Sequence, residues 1–451
     1  MPGNLSVSEL EVAIAAGEID TVVVAFADAQ GRLVGKRVSA RLFQEEVLPH
    51  GAEACNYLLS VDVDMNTVDG YTMSSWENGY GDMMLVSDPS TLRRIPWLPG
   101  SALVIADLAW ESGERVAQSP RAILQHQRDR LAERDLVAYS GTELEFLVFD
   151  DTYRDAWAKG YRDLTPSTDY NVDYDLLASG RLEPLLRDIR LSMDAAGMYC
   201  EGVKGECNLG QQEIAFRYAE VLETADQHTI YKSGAKAIAE NHGKSLSFMA
   251  KFNEREGNSC HIHLSVRSKD GEPVMAGDGA YGFSPFMEHW IAGILTTLRE
   301  FTLLYAPTIN SYKRYAKGSF APTGVAWGLD NRTCALRVIG RGQSLRPENR
   351  VPGGDVNPYL ATAAIIAGGL YGVENELPMP EPLAGNAYSS DVEHLPTTLR
   401  EAARLFGESS IARAAFGDEM VEHYLNQARI EVEAYDAAVT DWERIRGFER
   451  L

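Results

Sequence analysis

Residues 141–149, with the sequence GTELEFLVF, constrain the fold more than any other part of this chain. Their apolar and β-branched composition predicts a buried β-strand, yet the strand carries two acidic residues, Glu143 and Glu145. Residues two apart in a strand point to the same face, so the two carboxylates should lie side by side. Burying two like charges together is costly unless a cation lies between them, and a divalent metal ion would serve. The strand therefore predicts half of a metal site.

Three further segments, at 204–213, 259–265 and 346–352, combine ligand-type residues in a similar way. In segments 259–265 and 346–352, polar side chains again stand two positions apart. Segment 204–213 is a turn-like stretch around a glycine. Oxygen-rich sites with a histidine suit Mg²⁺ or Mn²⁺ better than zinc, so the segments predict a site for one or two such ions. The candidate ligands are Glu143, Glu145, Glu206, Glu213, Glu348, His261 and His263.

The charge of the chain argues against two classes of partner. Its 451 residues include 42 basic and 65 acidic side chains, which gives a formal net charge of -23. Nucleic-acid phosphates and anionic lipid surfaces would repel such a protein, so neither a nucleic acid nor a membrane is expected as a partner. No apolar stretch reaches the roughly 18 residues that a membrane helix needs, and we expect residues 361–371 to form a buried helix.

The cysteines indicate a reducing compartment. Five scattered cysteines, without a Cys-x-x-Cys pair or a preceding secretory segment, predict a cytoplasmic protein. Cys207 and Cys260 lie inside the ligand-bearing segments, but neither has a base at motif spacing, so we expect no nucleophilic role for them.

The order of the predicted elements indicates two domains. Residues 21–40 are typical of a β-hairpin, because two β-branched runs flank an Asp-Ala-Gln-Gly-Arg turn. Ser119 and Pro120 open a predicted helix, with the serine as N-cap and the proline in the first turn. We place the boundary between a small strand-rich domain, 1–112, and a larger domain, 113–451, just before this helix. Further helical stretches are predicted at 181–197, 218–241, 284–304, 357–375 and 397–448.

Three arginine-bearing segments, at 310–314, 330–337 and 346–350, accompany the candidate ligands. Guanidinium groups bind carboxylates and phosphates bidentately, so arginines beside metals indicate phosphoryl transfer between a nucleotide and an acidic small molecule. The chain has no Walker loop and no strand-linked Gly-x-Gly-x-x-Gly, so the nucleotide must be held by metals and side chains. A guanidino kinase is compatible with the same residue types, and formation of an amide product would exclude it.

The motifs resemble those of the glutamine synthetase family in order and spacing. In that family ATP phosphorylates the γ-carboxylate of glutamate, and an amine then displaces phosphate. The resemblance implies an α+β, glutamine synthetase-like fold, with a small N-terminal β-grasp domain and a larger catalytic domain of curved antiparallel sheet and helices. It also implies ATP, two or more Mg²⁺ or Mn²⁺ ions per site, and a homododecamer with sites at subunit interfaces. The matching motifs are Glu143-x-Glu145, Gly210-Gln-x-Glu213, His261-x-His263, Asn310-x-Tyr-Lys-Arg314, Asn331-Arg332, Arg337, and Glu348-x-Arg350 followed by Asn357-Pro-Tyr.

The resemblance also implies a role for each matching residue. One metal would be held by Glu145, Glu206 and Glu213, and the other by Glu143, His261 and Glu348. Glutamate would be held by Arg314 and Arg350 near the Gly257 backbone, and the transferring phosphoryl group would be neutralised by Arg332 and Arg337. The ATP-binding positions are Glu201, Tyr218, His263, Ser265 and Arg346. Asp62 is the candidate for an aspartate that a neighbouring subunit lends to deprotonate the amine.

Departures from the family pattern bear on the amine. Ammonia-using members have a glutamate six residues after the arginine of Asn-x-Tyr-Lys-Arg, where this chain has Phe320. Their usual His-His-Glu is replaced by Lys204-Gly-Glu206. An aromatic side chain does not stabilise ammonium as a carboxylate does, but it would cover the methylenes or the ammonium group of a larger amine. The chain is therefore similar to the γ-glutamyl-amine branch of the family, and above all to the actinobacterial γ-glutamylethanolamide synthetases.

Ethanolamine is accordingly the first expectation for the amine, and three alternatives stay open. A γ-glutamylpolyamine synthetase would use the same mechanism and should want a carboxylate near the mouth of the amine pocket. An ammonia-dependent glutamine synthetase is disfavoured by Phe320. A non-catalytic relative that binds glutamate or nucleotide is disfavoured by the intact metal and arginine positions.

Overall fold

The computed structural model describes residues 3–451, and the N-terminal part is built on a six-stranded sheet. The strand order is β2-β1-β6-β4-β3, with β5 beside β6, and all pairs are antiparallel except β1 with β6. The predicted hairpin over 21–40 is confirmed by the pairing of β1 with β2. The strands are β1 (Thr21–Ala27), β2 (Leu33–Ser39), β3 (Ala52–Cys55), β4 (Asp82–Ser87), β5 (Arg93–Arg94) and β6 (Ser101–Ala109).

A nine-stranded sheet forms the larger part of the molecule. Its order is β13-β14-β15-β12-β7-β9-β8, with β10 and β11 also pairing with β7, and only β13 and β14 run parallel. The predicted strand at 141–149 is the second half of β7, in the middle of the sheet. The strands are β7 (Leu136–Phe149), β8 (Cys200–Gly205), β9 (Gln211–Phe216), β10 (Ala219–Glu220), β11 (Ser245–Ser247), β12 (Cys260–Ser268), β13 (Trp327–Leu329), β14 (Leu336–Ile339) and β15 (Arg346–Asn349).

Helices pack on this framework, and most of those predicted are observed. The stretch predicted as one helix at 284–304 is interrupted, and its end forms a separate short helix, Thr302–Tyr305. The longer helices are α1 (Val7–Ala15), α2 (Pro120–Ala132), α3 (Glu183–Ala195), α4 (Val221–Asn241), α5 (Pro285–Thr297), α6 (Pro358–Glu374), α7 (Leu399–Glu408), α8 (Ser410–Phe416), α9 (Asp418–Ala437) and α10 (Asp441–Gly447). Short helical segments lie at Ala40–Leu42, Phe43–Val47, Leu48–His50, Tyr153–Ala158 and Leu176–Ser179. Within residues 3–451, every helix is too short or too polar to cross a membrane.

Strand β1 of the small sheet is buried on both faces. Val24 and Phe26 of β1 belong to the core of the N-terminal part, whereas Ala25 and Ala27 belong to the core of the larger part. This follows from strand alternation, because successive side chains point to opposite faces. The α+β architecture agrees with the prediction, and the division at residue 112 stays a prediction.

Candidate active site

One face of the nine-stranded sheet carries the predicted metal ligands. The pairing of β12 with β7 puts His261 opposite Glu143, and the pairing of β9 with β7 puts Glu213 opposite Glu145. On the other side of β12, Glu348 of β15 stands opposite His263. Antiparallel register thus gathers residues that lie far apart in the sequence into one row.

Glu145, Glu206 and Glu213 form what we call the carboxylate cluster. Each contributes an oxygen that lies within 4.8 Å of the other two. The Ser259 backbone N–H donates to Glu145 Oε2 at 2.7 Å, which fixes this side chain. Burial, together with the nearby Glu143 carboxylate, raises the pKa of Glu213 to about 8. Three converging carboxylates of this kind fit a divalent cation, as the sequence predicted.

Glu143, His261, His263 and Glu348 form a second group, the imidazole cluster. Ligand atoms of Glu143, His263 and Glu348 lie within 4.8 Å of one another, and His263 Nε2 is 3.0 Å from Glu143 Oε1. His261 Nδ1 is 3.2 Å from Glu143 Oε2 and 3.4 Å from Glu348 Oε1. Both histidines therefore contact the predicted carboxylates, whereas the resemblance implied only His261 as a ligand.

The environment of His261 also fits a metal. Its Nε2 atom is buried and has no hydrogen-bond partner within residues 3–451. Burial and the nearby Arg350 lower the pKa of His261, which favours the neutral ring. A neutral imidazole keeps the lone pair that a metal ion requires.

Two arginines balance the charge of Glu348, which is completely buried. Arg337 Nη1 donates to Glu348 Oε2 at 2.9 Å, and Arg350 Nη1 donates to Glu348 Oε1. Arg337 also reaches Asp330, with Nη2 at 2.6 Å from its Oδ1 atom. The guanidinium groups are thus held beside the imidazole cluster, where a phosphoryl group could contact them.

Two cavities meet at this face. The larger, of about 470 Å³, is lined by all five predicted ATP-binding residues: Glu201, Tyr218, His263, Ser265 and Arg346. The smaller, of about 230 Å³, is lined by the whole carboxylate cluster together with His261, Gly257, Phe320, Arg332, Arg337 and Arg350. Glu143 lines both cavities, so a group in one lies next to a group in the other.

Phe320 lies at the smaller cavity and is 57% exposed. Its backbone has a φ of 58°, in the left-handed region that bulky residues rarely adopt. Gly257 lines the same cavity, and a Cβ atom there would come within 2.2 Å of the Ala250 carbonyl oxygen. Only glycine allows that close approach.

Three predicted site residues line neither cavity: the completely buried Glu348, described above, and Arg314 and Asp62. The Arg314 guanidinium is buried and donates to the backbone carbonyls of Val351 at 2.8 Å and Arg350 at 2.9 Å. In this arrangement it supports the Arg350 backbone, and a direct contact with glutamate stays a prediction. Asp62 accepts hydrogen bonds from Asn66 at 2.8 and 3.1 Å, in the N-terminal part of the chain. Its role in another subunit likewise stays a prediction.

Sequence reasoning named Gln211 only as part of a motif, without a role, and missed Tyr139 and Arg267. Gln211 Nε2 lies 3.1 Å from Glu145 Oε2 and 2.9 Å from the Gly257 carbonyl oxygen, so it links the carboxylate cluster to the glycine backbone. In the larger cavity, the Arg267 guanidinium lies 5.1 Å from the centre of the Tyr139 ring. Strand alternation would have found all three, since Gln211, Tyr139 and Arg267 lie an even number of positions from recognised residues.

Comparison with known proteins identifies the family. Residues 117–446 match the sequence profile described as glutamine synthetase, catalytic domain. The chain belongs to the glutamine synthetase family. It is 63% identical over 447 residues to the γ-glutamylethanolamide synthetase of Streptomyces coelicolor, covering 99% of this chain and 96% of that protein. It is 36% identical over 434 residues to the glutamate–isopropylamine ligase of a Pseudomonas species, covering 95% of each.

Solved structures agree on the fold. The structure of a protein named GmaS in complex with ADP superposes with a TM-score of 0.86 at 29% identity, covering 98% of this chain and 99% of that one. GmaS without ligand gives a TM-score of 0.84, also at 29% identity. The predicted glutamine synthetase-like fold is therefore confirmed.

Proposed function

We propose that this protein is an ATP-dependent ligase that joins the γ-carboxylate of L-glutamate to a primary amine. The observation that carries this proposal is the meeting of two cavities at Glu143, one lined by the ATP-type residues and the other by arginines and carboxylates. The γ-carboxylate would attack the γ-phosphorus of ATP, which forms γ-glutamyl phosphate and releases ADP. The amine would then attack the acyl carbon and expel phosphate. Both named ligases among the relatives couple an amine to glutamate or a glutamyl group.

The two clusters would hold divalent ions, Mg²⁺ or Mn²⁺, in this proposal. Bound there, the ions would supply positive charge for the phosphate oxygens. Arg332 and Arg337 line the smaller cavity, where they would balance the charge of the transferring group. Arg350, in the same cavity, would hold a carboxylate of glutamate. The amine must lose a proton before it attacks, and Asp62 of a neighbouring subunit is the proposed acceptor.

Phe320 is the proposed determinant of the amine. A pocket with an aromatic side chain in place of a carboxylate cannot offset the cost of stripping water from NH₄⁺. It can cover the methylene groups of a larger amine, and ethanolamine is our first choice. The 63% identity to a γ-glutamylethanolamide synthetase supports this choice.

A polyamine is the second candidate, and one observation favours it. Asp173 and Glu256 line the smaller cavity together with Phe320, and Asp173 is exposed. An exposed carboxylate at the cavity could pair with the distal ammonium group of a di- or tri-cationic amine. Asp173→Asn should then weaken the use of polyamines and leave the use of ethanolamine nearly unchanged.

Phosphate release and amide formation, measured across ammonium, ethanolamine, isopropylamine and polyamines, test the proposal.

We predict that Phe320→Glu shifts the kcat/KM ratio toward ammonium by at least about tenfold, because the carboxylate favours a compact cation. Tyr161→Glu is the matched control, since Tyr161 is also 57% exposed, has a φ of 59° and lines neither cavity. If the native enzyme prefers ammonium to every amine, or if Phe320→Glu leaves the ratio unchanged, the assignment of Phe320 is wrong.

A further inference from the structure

A lysine lies inside the carboxylate cluster. Lys204 Nζ contacts Glu206 Oε1 and lies 3.5 Å from Glu213 Oε2. The pairing of β8 with β9 puts Lys204 directly opposite Glu213, so the strand register fixes its position. Its side chain is only 29% exposed, which shelters the ammonium group from water. The ammonium group therefore stands where the resemblance implies that a divalent ion binds.

The ammonium group and a metal ion would compete for the same oxygen atoms. The three carboxylates of the cluster lie within 4.8 Å of one another, and Lys204 offsets one of their charges. A Mg²⁺ ion binds carboxylate oxygens at about 2.1 Å, which leaves no room for an ammonium group between the same oxygens. The two cations would also repel each other at such short range. Lys204 must therefore move when an ion enters the cluster.

The structure provides a place for the displaced ammonium group. Lys204 Nζ already lies 5.3 Å from the centre of the Tyr174 ring while it contacts the carboxylates, and an ammonium group that leaves them can approach the attractive face of this ring more closely. Lys204 and Tyr174 also line a separate cavity of about 450 Å³, beside the smaller cavity of the site. The flexible side chain can rotate toward this space without a change in the strand.

We infer that Lys204 is an exchangeable internal counter-ion of the carboxylate cluster. Lys204 pairs with Glu206 and Glu213, and a divalent ion that enters the cluster displaces it toward Tyr174. Lys204 thus stabilises the metal-free fold and weakens metal binding at this cluster. Family members with the usual His-His-Glu lack this permanent charge. The inference rests on the proposed metal-binding role of the cluster.

Lys204→Met tests this inference, because methionine keeps much of the length and apolar character of the side chain without its charge. Metal-free protein is titrated with Mn²⁺ by calorimetry, and thermal unfolding is followed with and without Mn²⁺. We expect the variant to bind Mn²⁺ about tenfold more tightly at one site, since a unit charge has left the cluster. We also expect a lower Tm without metal and a larger gain in Tm on adding Mn²⁺.

Lys159→Met is the matched control. Lys159 Nζ lies 2.6 Å from Asp151 Oδ1, so it also pairs with a carboxylate, but it lines none of the three cavities. This variant should bind Mn²⁺ with wild-type affinity. Equal or weaker Mn²⁺ binding by Lys204→Met would overturn the inference.

A second variant keeps the inference testable if Lys204→Met does not fold. Tyr174→Leu retains the charge of Lys204 and removes the aromatic ring that receives it, so Mn²⁺ affinity should fall severalfold. Unchanged affinity in this variant counts against displacement toward Tyr174. If wild-type protein binds no Mn²⁺, or if Glu213→Gln leaves Mn²⁺ binding intact, the proposed metal-binding role of the cluster is wrong. That outcome differs from one in which the cluster binds Mn²⁺ but Lys204→Met does not tighten the binding, which would contradict only the inference about Lys204.

Discussion

At the scale of single residues, the protonation of Glu213 should make metal binding at the site depend on pH. Burial and the neighbouring Glu143 raise its pKa from 4.5 to about 8, although Lys204 acts in the opposite direction. Because the folded-state pKa lies above the unfolded value, this group makes the metal-free fold progressively less stable as pH rises from 4.5 toward 8. A metal ion needs the ionised carboxylate, so its binding at pH 7 must release the proton.

We predict that Mn²⁺ affinity rises with pH by up to about tenfold per unit and levels off above pH 8. Calorimetry at several pH values measures the affinity, and buffers of different ionisation enthalpy report how many protons are released. Glu213→Gln should remove most of this dependence. Constant affinity between about pH 6.5 and 8.5 would show that Glu213 is already ionised in the metal-free protein.

A second prediction at this scale concerns the ligands themselves. Glu145→Ala and Glu213→Ala should each lower amide formation by at least about a thousandfold, because a metal ligand acts on charge in the transition state. Circular dichroism should show an intact fold, since each change removes one carboxylate from a strand that keeps its pairing. Glu272→Ala, at an exposed position in the turn after β12, is the control and should form amide at the wild-type rate. Near-wild-type turnover in either cluster variant would refute the metal assignment.

At the scale of secondary structure, the sequence predicts what depends on local pattern. Period-two alternation placed Glu143 and Glu145 on one face of β7, and Pro120 marked the start of α2. The stretch 204–213, predicted as turn-like, is a hairpin whose ends belong to β8 and β9, because β8 pairs with β9 and β9 in turn pairs with β7. The break after α5 coincides with the Thr297 and Thr302 hydroxyls, which bond to carbonyls four residues earlier and so compete with helical bonds.

Contacts between distant elements lie outside such patterns. Nothing in the local sequence showed that Arg314 turns toward the carbonyls of Arg350 and Val351, or that both His261 and His263 reach Glu143. These features depend on side-chain rotamers and on which strands become neighbours. The order of the motifs in the sequence identified the site residues, whereas the distances between their side chains follow from strand pairing in the nine-stranded sheet.

One arginine at an element junction yields a third prediction. Arg121, in the first turn of α2, is buried and bonds Asp226 of α4 at 3.0 Å and Asp88 of the N-terminal part at 2.8 Å. Removing its charge leaves Asp226 buried without that partner, so Arg121→Met should destabilise the protein by about 3–5 kcal/mol. Arg128→Met, on the same helix and partly exposed, is the control and should change stability by less than about 1 kcal/mol. Equal Tm values for the two variants would show that this contact does not join the two parts of the chain.

At the scale of the whole molecule, the position of Asp62 bears on where the amine loses its proton. The smaller cavity is lined by Asp173, Glu256 and the carboxylate cluster, and Asp62 is not among its lining residues in the single chain. Asp62 and Asp64 lie in a partly exposed loop of the N-terminal part. A neighbouring copy of the chain would have to bring this loop to the cavity, as expected for sites at subunit interfaces.

Co-expression of two inactive variants tests this arrangement. Asp62→Asn should lack the amine base, and Glu145→Ala should lack a cluster ligand, so each homo-oligomer is expected to be nearly inactive. If sites form between subunits, a mixed oligomer combines an intact Asp62 from one chain with an intact Glu145 from the next, and roughly one quarter of its sites should be active. If each site belongs to a single chain, every site contains one of the two substitutions and activity does not return. Amide formation by mixed oligomers, purified through two different affinity tags, distinguishes these cases, and Asp64→Asn paired with Glu145→Ala shows whether the effect is specific to Asp62.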